Sequence, residues 1–344
     1  MREGTFMNNV TTSIPYTIGS VNVLLSGLYG KENGIDAYYK MFRLKDSVKI
    51  LPEILQEGGY FTACDLLSEK IISKRGFDIH QFHDEYNDDL TLRHPEFIKN
   101  CLTNANDKPL FLFLHFTRIH TVTVSEVLKK YDWNDKEFYA RKKENLLNYD
   151  KTFLEVGNYA KLIKKTIAEL GISNDTILIF FSDHGTGVGE RFGERNYGSF
   201  TYEETIRTFF LFIGKDIIKN RINEKLRENI DIFPTILELI GTKTKYDGHG
   251  ESFSKYLKDA NGNIQSKKFV YSETGALQGP FPSPREPNVF CVKTEDYKLI
   301  YLKTPEEWRL YNLRNDPDEI NNIYNESDVV GKELQRKILQ WINR

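Results

Sequence analysis

The sequence predicts an α/β protein with a mostly parallel central sheet, helices on both faces, and a small C-terminal antiparallel subdomain. Three observations predict it. Apolar runs at 110–116, 176–181 and 208–213, rich in β-branched and aromatic residues, have the length of buried strands. An amphipathic stretch at 154–170 closes at Gly171 just before the second run, the helix–glycine–strand order of a βαβ unit. Beyond residue 265, the runs 269–272, 289–293 and 297–302 succeed one another without intervening helices, as in a small antiparallel sheet. The expected division is a core over residues 1–265 and a subdomain over 266–344.

In chain order, residues 1–9 contain Gly4 and Asn8-Asn9 and read as loop, followed by a short strand at 10–13. A helix is expected over about 18–26, entered at Thr17. A helical period at 47–58 ends at Gly58-Gly59, and 60–64 reads as a strand. Residues 65–108 are polar and mixed, expected as helices and loops around the sheet. The charged stretch 132–151 reads as an exposed loop or helix. Residues 231–240 form an apolar helix closed by Gly241, 315–318 a turn, and 332–342 a terminal helix.

The bulk properties narrow the function classes. The 344 residues are 40% hydrophobic and 28% charged, a soluble globular composition sufficient for one large domain or a domain with an appendage. A formal charge of −2 gives no electrostatic reason to expect nucleic acid or an anionic membrane as partner. Cys64, Cys101 and Cys291 are odd in number and widely spaced, which fits reduced thiols. The first residues are polar and no apolar run approaches a membrane span, so a cytoplasmic location is expected for the chain as it stands.

The chemistry concentrates at residues 177–195, ILIFFSDHGTGVGERFGER. An apolar run empties abruptly into Ser182-Asp183-His184-Gly185, and the carboxyl end of a strand is where open α/β sheets bind ligands. Asp183 offers a hard anionic oxygen and His184 an imidazole, both suited to a divalent cation. Neighbours on a strand point to opposite faces, so joint ligation requires the turn at Gly185 to re-aim them. The same pair also fits a loop carboxylate beside a surface histidine. Thr17 has two readings as well: an N-cap whose hydroxyl accepts from a first-turn amide, or a hydroxyl placed to attack an anion held by those amides. His120, just past the strand at 110–116, is either a surface histidine or a general acid, and His115 within it reads as a hydrogen-bonded core residue.

Taken together, these segments resemble the sulfatases of the alkaline-phosphatase superfamily over essentially the whole chain. FFSDHG resembles the family's metal-ligand strand end, and LFLHFTRIHT its strand-plus-histidine segment. TTSIPYTIGSVNVLLSGLYG is similar to the nucleophile segment and its helix. DIFPTILELIG with YDGHGESF, and EDYKLIY with RLYNLRNDPDEINNI, are similar to segments that follow in the same order. The resemblance implies a metal-dependent hydrolase or transferase of sulfate or phosphate esters. Thr17 would be the nucleophile, His120 the acid that protonates the leaving oxygen, and Asp183, His184 and Thr17 the ligands of one or two divalent ions (calcium, manganese or zinc). The substrate implied is a sulfated or phosphorylated small molecule, glycan or lipid head group.

Three departures qualify the resemblance. Type-I sulfatases carry Cys or Ser in a Cys/Ser-x-Pro-x-Arg motif, whereas this chain reads Thr17-Ile18-Gly19-Ser20-Val21. A threonine there resembles the phospho-transferring relatives, the phosphoethanolamine and phosphoglycerol transferases and some phosphonate hydrolases, so phosphoryl chemistry is favoured. Family members also carry an earlier strand ending in metal-binding aspartates, and Met1 falls after its position. The expectations are a core lacking that strand or, alternatively, a non-catalytic binding protein. Finally, where relatives place a Lys or His to grip the anion, residues 189–204 offer Arg195, which can clamp a tetrahedral anion bidentately or stand as a solvated loop arginine.

Overall fold

The computed structural model describes residues 2–36, 43–120, 132–242, 244, 246–275, 279–283 and 285–344. Its first sheet contains β1 (Gly4–Thr11), β5 (Ile177–Phe181), β6 (Arg207–Gly214), β7 (Arg221–Asn223) and β8 (Arg227–Glu228), in the order β5-β6-β1-β7 with β8 also on β1. β6 runs antiparallel to both β1 and β5, while β7 and β8 run parallel to β1. A second sheet, β3-β2-β4, is wholly parallel and consists of β2 (Phe61–Leu66), β3 (Ile79–Phe82) and β4 (Leu110–Leu114). The core sheets are therefore mixed in direction.

The N-terminal segment read as loop is strand from Gly4 onward. Asn8 and Asn9 fall where the β1–β6 register shifts between Met7 and Val10, so a bulge absorbs the two residues that argued against a strand. Gly4 is required by close approach, since a Cβ there would lie 1.9 Å from the Phe212 carbonyl oxygen. β3 was also missed, because its Ile-His-Gln-Phe sequence sits half exposed at a sheet edge and carries little apolar signal.

The principal helices are α1 (Thr17–Ser26), α2 (Leu51–Glu57), α3 (Leu90–Ala105), α4 (Lys142–Glu169), α5 (Ile232–Leu239) and α6 (Val329–Ile342). The charged stretch 132–151 holds a short helix, Lys136–Ala140, and the first turns of α4, whose Leu146, Leu147 and Leu154 face solvent. Farther along, its Tyr159, Ile163 and Ile167 pack with Leu112 and Leu114 of β4 and Leu178 of β5. The alternate side chains Phe111, Phe113, Ile177, Ile179 and Phe181 join the main core on the other side. Phe113 and Phe181 meet with ring centroids 6.0 Å apart. β4 and β5 thus share both faces of one layered arrangement, yet among the described residues no ladder joins them.

The C-terminal part is the expected antiparallel sheet, β12-β11-β10-β9, built from β9 (Val270–Thr274), β10 (Val289–Lys293), β11 (Tyr297–Leu302) and β12 (Glu307–Asn312). Leu334, Ile338 and Trp341 of α6 cover it in a cluster that also takes in Ile14, Tyr16 and Val23. Packing therefore runs continuously across residue 265. Buried ion pairs reinforce the contact: Lys298 lies 2.9 Å from Glu203 and 2.7 Å from Glu319, and Lys293 lies 2.8 Å from Glu203. Among the described residues, no helix is long and apolar enough to cross a membrane.

Candidate active site

Helix α1 is apolar and buried from Gly19 to Ser26, so its start is fixed by packing rather than by a side-chain cap. Tyr16 is the N-cap residue, extended at φ −157°, which makes Thr17 the first helical residue and removes the capping reading of its hydroxyl. The Thr17 Oγ1 instead lies 3.3 Å from His184 Nε2. The same helix holds the loop that carries His184, since Ser20 Oγ donates to the Asp183 carbonyl at 2.6 Å. Asn229 Nδ2 steadies that serine at 3.1 Å.

The Asp183-His184 pair is re-aimed at Gly185, as the strand geometry required. Gly185 N–H donates to the Thr205 carbonyl at 2.8 Å, and a Cβ on Gly185 would lie 2.2 Å from the Glu204 carbonyl oxygen. The close approach admits only glycine. His184 Nδ1 lies 2.7 Å from the Gly185 carbonyl oxygen. A carbonyl can only accept, so Nδ1 carries the proton and the Nε2 lone pair faces Thr17. Tyr197 packs against the imidazole at 4.5 Å between ring centroids and limits its rotation.

Asp183 Oδ1 accepts from the His184 backbone N–H at 3.0 Å, whereas Oδ2 is buried and makes no hydrogen bond. Burial would raise this carboxyl, but the neighbouring His184 and His115 imidazoles outweigh it and hold Asp183 below the usual carboxylate range. An orphaned buried carboxylate oxygen beside an imidazole lone pair and a hydroxyl is a donor set that suits a divalent cation. The residues present therefore fit a metal, with Asp183, His184 and Thr17 as the holders.

His120 pairs through Nδ1 with Glu85 Oε2 at 2.6 Å, a partner the sequence reading did not find. The contact joins segments 35 positions apart, and no local pattern announces it. His115 links the two parts of the site. It feels the charges of Asp183, His83, His120 and His184, and burial pushes it down to about 4.

Arg195 is buried and engaged. Its guanidinium lies 2.9 Å from Asp135 Oδ2 and stacks 4.6 Å above the Phe138 ring. An incoming anion would have to compete with Asp135 for it. Arg191 is similarly tied, 3.1 Å from Glu204 and 4.2 Å above Tyr202.

Comparisons with known proteins show what the chain is similar to. A family model described as Sulfatase matches residues 1–242, and one described as N-sulphoglucosamine sulphohydrolase, C-terminal, matches residues 193–344. An N-acetylglucosamine-6-O-sulfatase of Bacteroides thetaiotaomicron is 26% identical over 202 residues, which cover 57% of this chain and 34% of that protein. A solved structure of a protein in complex with its substrate D-glucosamine-2-N,6-O-disulfate matches with a TM-score of 0.75 at 18% identity, covering 99% of this chain and 90% of that one. The phosphonate monoester hydrolase of Agrobacterium radiobacter matches with the same TM-score at 15% identity, covering 99% and 89%. At such identities the structural matches establish the fold alone. The chain spans less than half the length of the curated relatives it matches.

Proposed function

The chain belongs to the sulfatase family, and we propose that it acts as a divalent-metal-dependent hydrolase or transferase of sulfate or phosphate esters. The observation that carries this reading is the 3.3 Å approach of Thr17 Oγ1 to a His184 Nε2 whose tautomer is fixed by the Gly185 carbonyl. The threonine supports phosphoryl chemistry, while the names of the curated relatives support a sulfated sugar as substrate. A cation held by Asp183, His184 and Thr17 would lower the pKa of the threonine hydroxyl and neutralise the ester's charge. The first-turn amides of α1 would orient the anion.

In this reading the Thr17 oxygen bonds to the phosphorus or sulfur as the bond to the leaving oxygen breaks. The Thr17 proton, made acidic by a bound cation, would pass to solvent water, and His120 protonates the leaving oxygen. The Glu85 carboxylate accepts from His120 Nδ1 and keeps Nε2 as the nitrogen that delivers the proton. Water or an acceptor hydroxyl then takes the group from Thr17.

The edges of β4 and β5 that are unpaired among the described residues support a further part of the proposal. A strand inserted between them would pair both edges, and an acidic residue at its carboxyl end would bring a second carboxylate to the ligand set. The same small ligand set favours one alternative, a binding protein that kept the fold without the chemistry. Aryl sulfate and aryl phosphate assays with added calcium, manganese or zinc separate the two. Turnover that disappears with a chelator and in Thr17→Ala supports the enzyme. Absence of turnover with every metal, in the chain and in a version with a strand added between β4 and β5, leaves the binding protein.

A further inference from the structure

A second group of ligand-type side chains lies at the carboxyl end of the parallel sheet. Asp65 ends β2, His83 follows β3, and His94 projects from α3; all three are buried. One donor atom from each lies within 4.8 Å of the others. We propose that Asp65, His83 and His94 form a binding site for a zinc-class divalent transition metal, separate from the ligand set at Thr17.

The geometry points to a ligand rather than to a closed hydrogen-bond network. His94 is fully buried, and its Nε2 has no hydrogen-bond partner while it faces Asp65 Oδ2 at 3.7 Å. A buried imidazole nitrogen left without a partner is costly and rare. The outward nitrogens of both histidines are held, as metal-bound imidazoles require. His94 Nδ1 lies 2.5 Å from the Tyr159 hydroxyl, and His83 Nε2 lies 3.2 Å from Thr117 Oγ1. These contacts leave His83 Nδ1, now 3.1 Å from Asp65 Oδ1, and His94 Nε2 pointing inward.

Arg93 Nε lies 2.5 Å from Asp65 Oδ2 and places a positive charge beside the proposed cation. That charge is shared: Arg93 also contacts Asp88 at 3.4 Å and the Phe82 carbonyl at 2.7 Å, and its side chain retains 29% exposure. The arginine thereby orients the carboxylate without sealing its other oxygen. Two imidazoles and one carboxylate select a borderline ion such as zinc over calcium or magnesium. His115, whose buried Nδ1 is also unpartnered and whose ring centre is 6.4 Å from that of His83, is a candidate fourth donor.

The test uses the whole chain in the Asp183→Asn background, which removes the carboxylate of the other ligand set. Chelator-stripped protein is titrated with zinc alone, and bound metal is measured by elemental analysis after gel filtration. The expected result is one zinc per chain, with at least a tenfold loss of affinity in His94→Gln. A cobalt-loaded sample should show the visible absorption of a four-coordinate nitrogen and oxygen site. Absence of retained zinc, or unchanged affinity in a folded His94→Gln variant, overturns the proposal. If His94→Gln does not fold, the imidazole NMR resonances of His83 and His94 decide. Zinc-dependent shifts of both support the site, and unchanged resonances overturn it.

Discussion

β10 and β5 are both five-residue apolar strands, and the structure treats them in opposite ways. β10 lies between β9 and β11 and is buried at every position. Among the described residues β5 pairs only with β6, and all of its residues remain partly exposed. Among the described residues β4, across from it, is also unpaired on one side, and it is mostly half exposed. Composition cannot produce this contrast, because the β5 sequence is the more uniformly apolar. The difference lies in pairing. The C-terminal sheet has its central strands satisfied, whereas among the described residues the sheet that carries Asp183 has an unpaired edge beside the proposed chemistry.

The largest effect should come from the open side. Thr17→Ala removes the proposed nucleophile and should reduce turnover about a thousandfold or more while leaving the unfolding midpoint nearly unchanged. Steady-state rates and urea titration check both halves. Retained turnover would mean that the hydroxyl near His184 has no chemical role.

A pair of truncations tests the contrast in burial. Truncating the fully buried Leu299 of β11 in Leu299→Ala should cost about 3 kcal/mol. Leu178→Ala, in half-exposed β5, should cost about 1 kcal/mol, because part of that side chain already meets water. Equal losses by denaturant titration would remove the distinction. Adding a strand between β4 and β5 should sharpen it by raising the cost of Leu178→Ala towards that of Leu299→Ala.

A smaller effect separates the regions by pH. Glu273 of β9 is buried with Trp341 Nε1 donating to it at 2.7 Å, and burial raises its carboxyl to about 7. The folded state therefore keeps a proton that the unfolded chain loses near the ordinary carboxylate pKa of about 4.5. Its contribution is fully present below that value and is lost as pH rises to about 7. Glu273→Gln keeps an acceptor for Trp341 and should flatten this decline, leaving the variant at least as stable as the parent at pH 8. An unchanged slope of stability against pH in the variant would contradict the assignment.

What was legible in the sequence follows the same physics. Asp183 and His184 stand out in the sequence because they follow an abrupt change from apolar run to polar loop, Thr17 because it opens a buried helix, and Gly185 marks the close turn beside them. The C-terminal sheet was legible because its short runs have no helices between them. β1 was hidden by a bulge that accommodates two asparagines, and β3 by its polar edge position. Glu85 beside His120, and the grouping of Asp65, His83 and His94, arise only when distant segments meet. Arg195 illustrates the converse. Its sequence context permitted an anion clamp, but folding places Asp135 and Phe138 against it.

The central claim is that Thr17 carries the transferred group. The most direct measurement is peptide mapping by mass spectrometry of protein quenched during turnover of an aryl phosphate with added manganese. His120→Ala would be run in parallel to slow the steps that need its proton. The account predicts a phosphoryl group on the peptide containing Thr17, absent from Thr17→Ala. A phosphoryl group on another residue, or sustained turnover with Thr17 never modified, would contradict it.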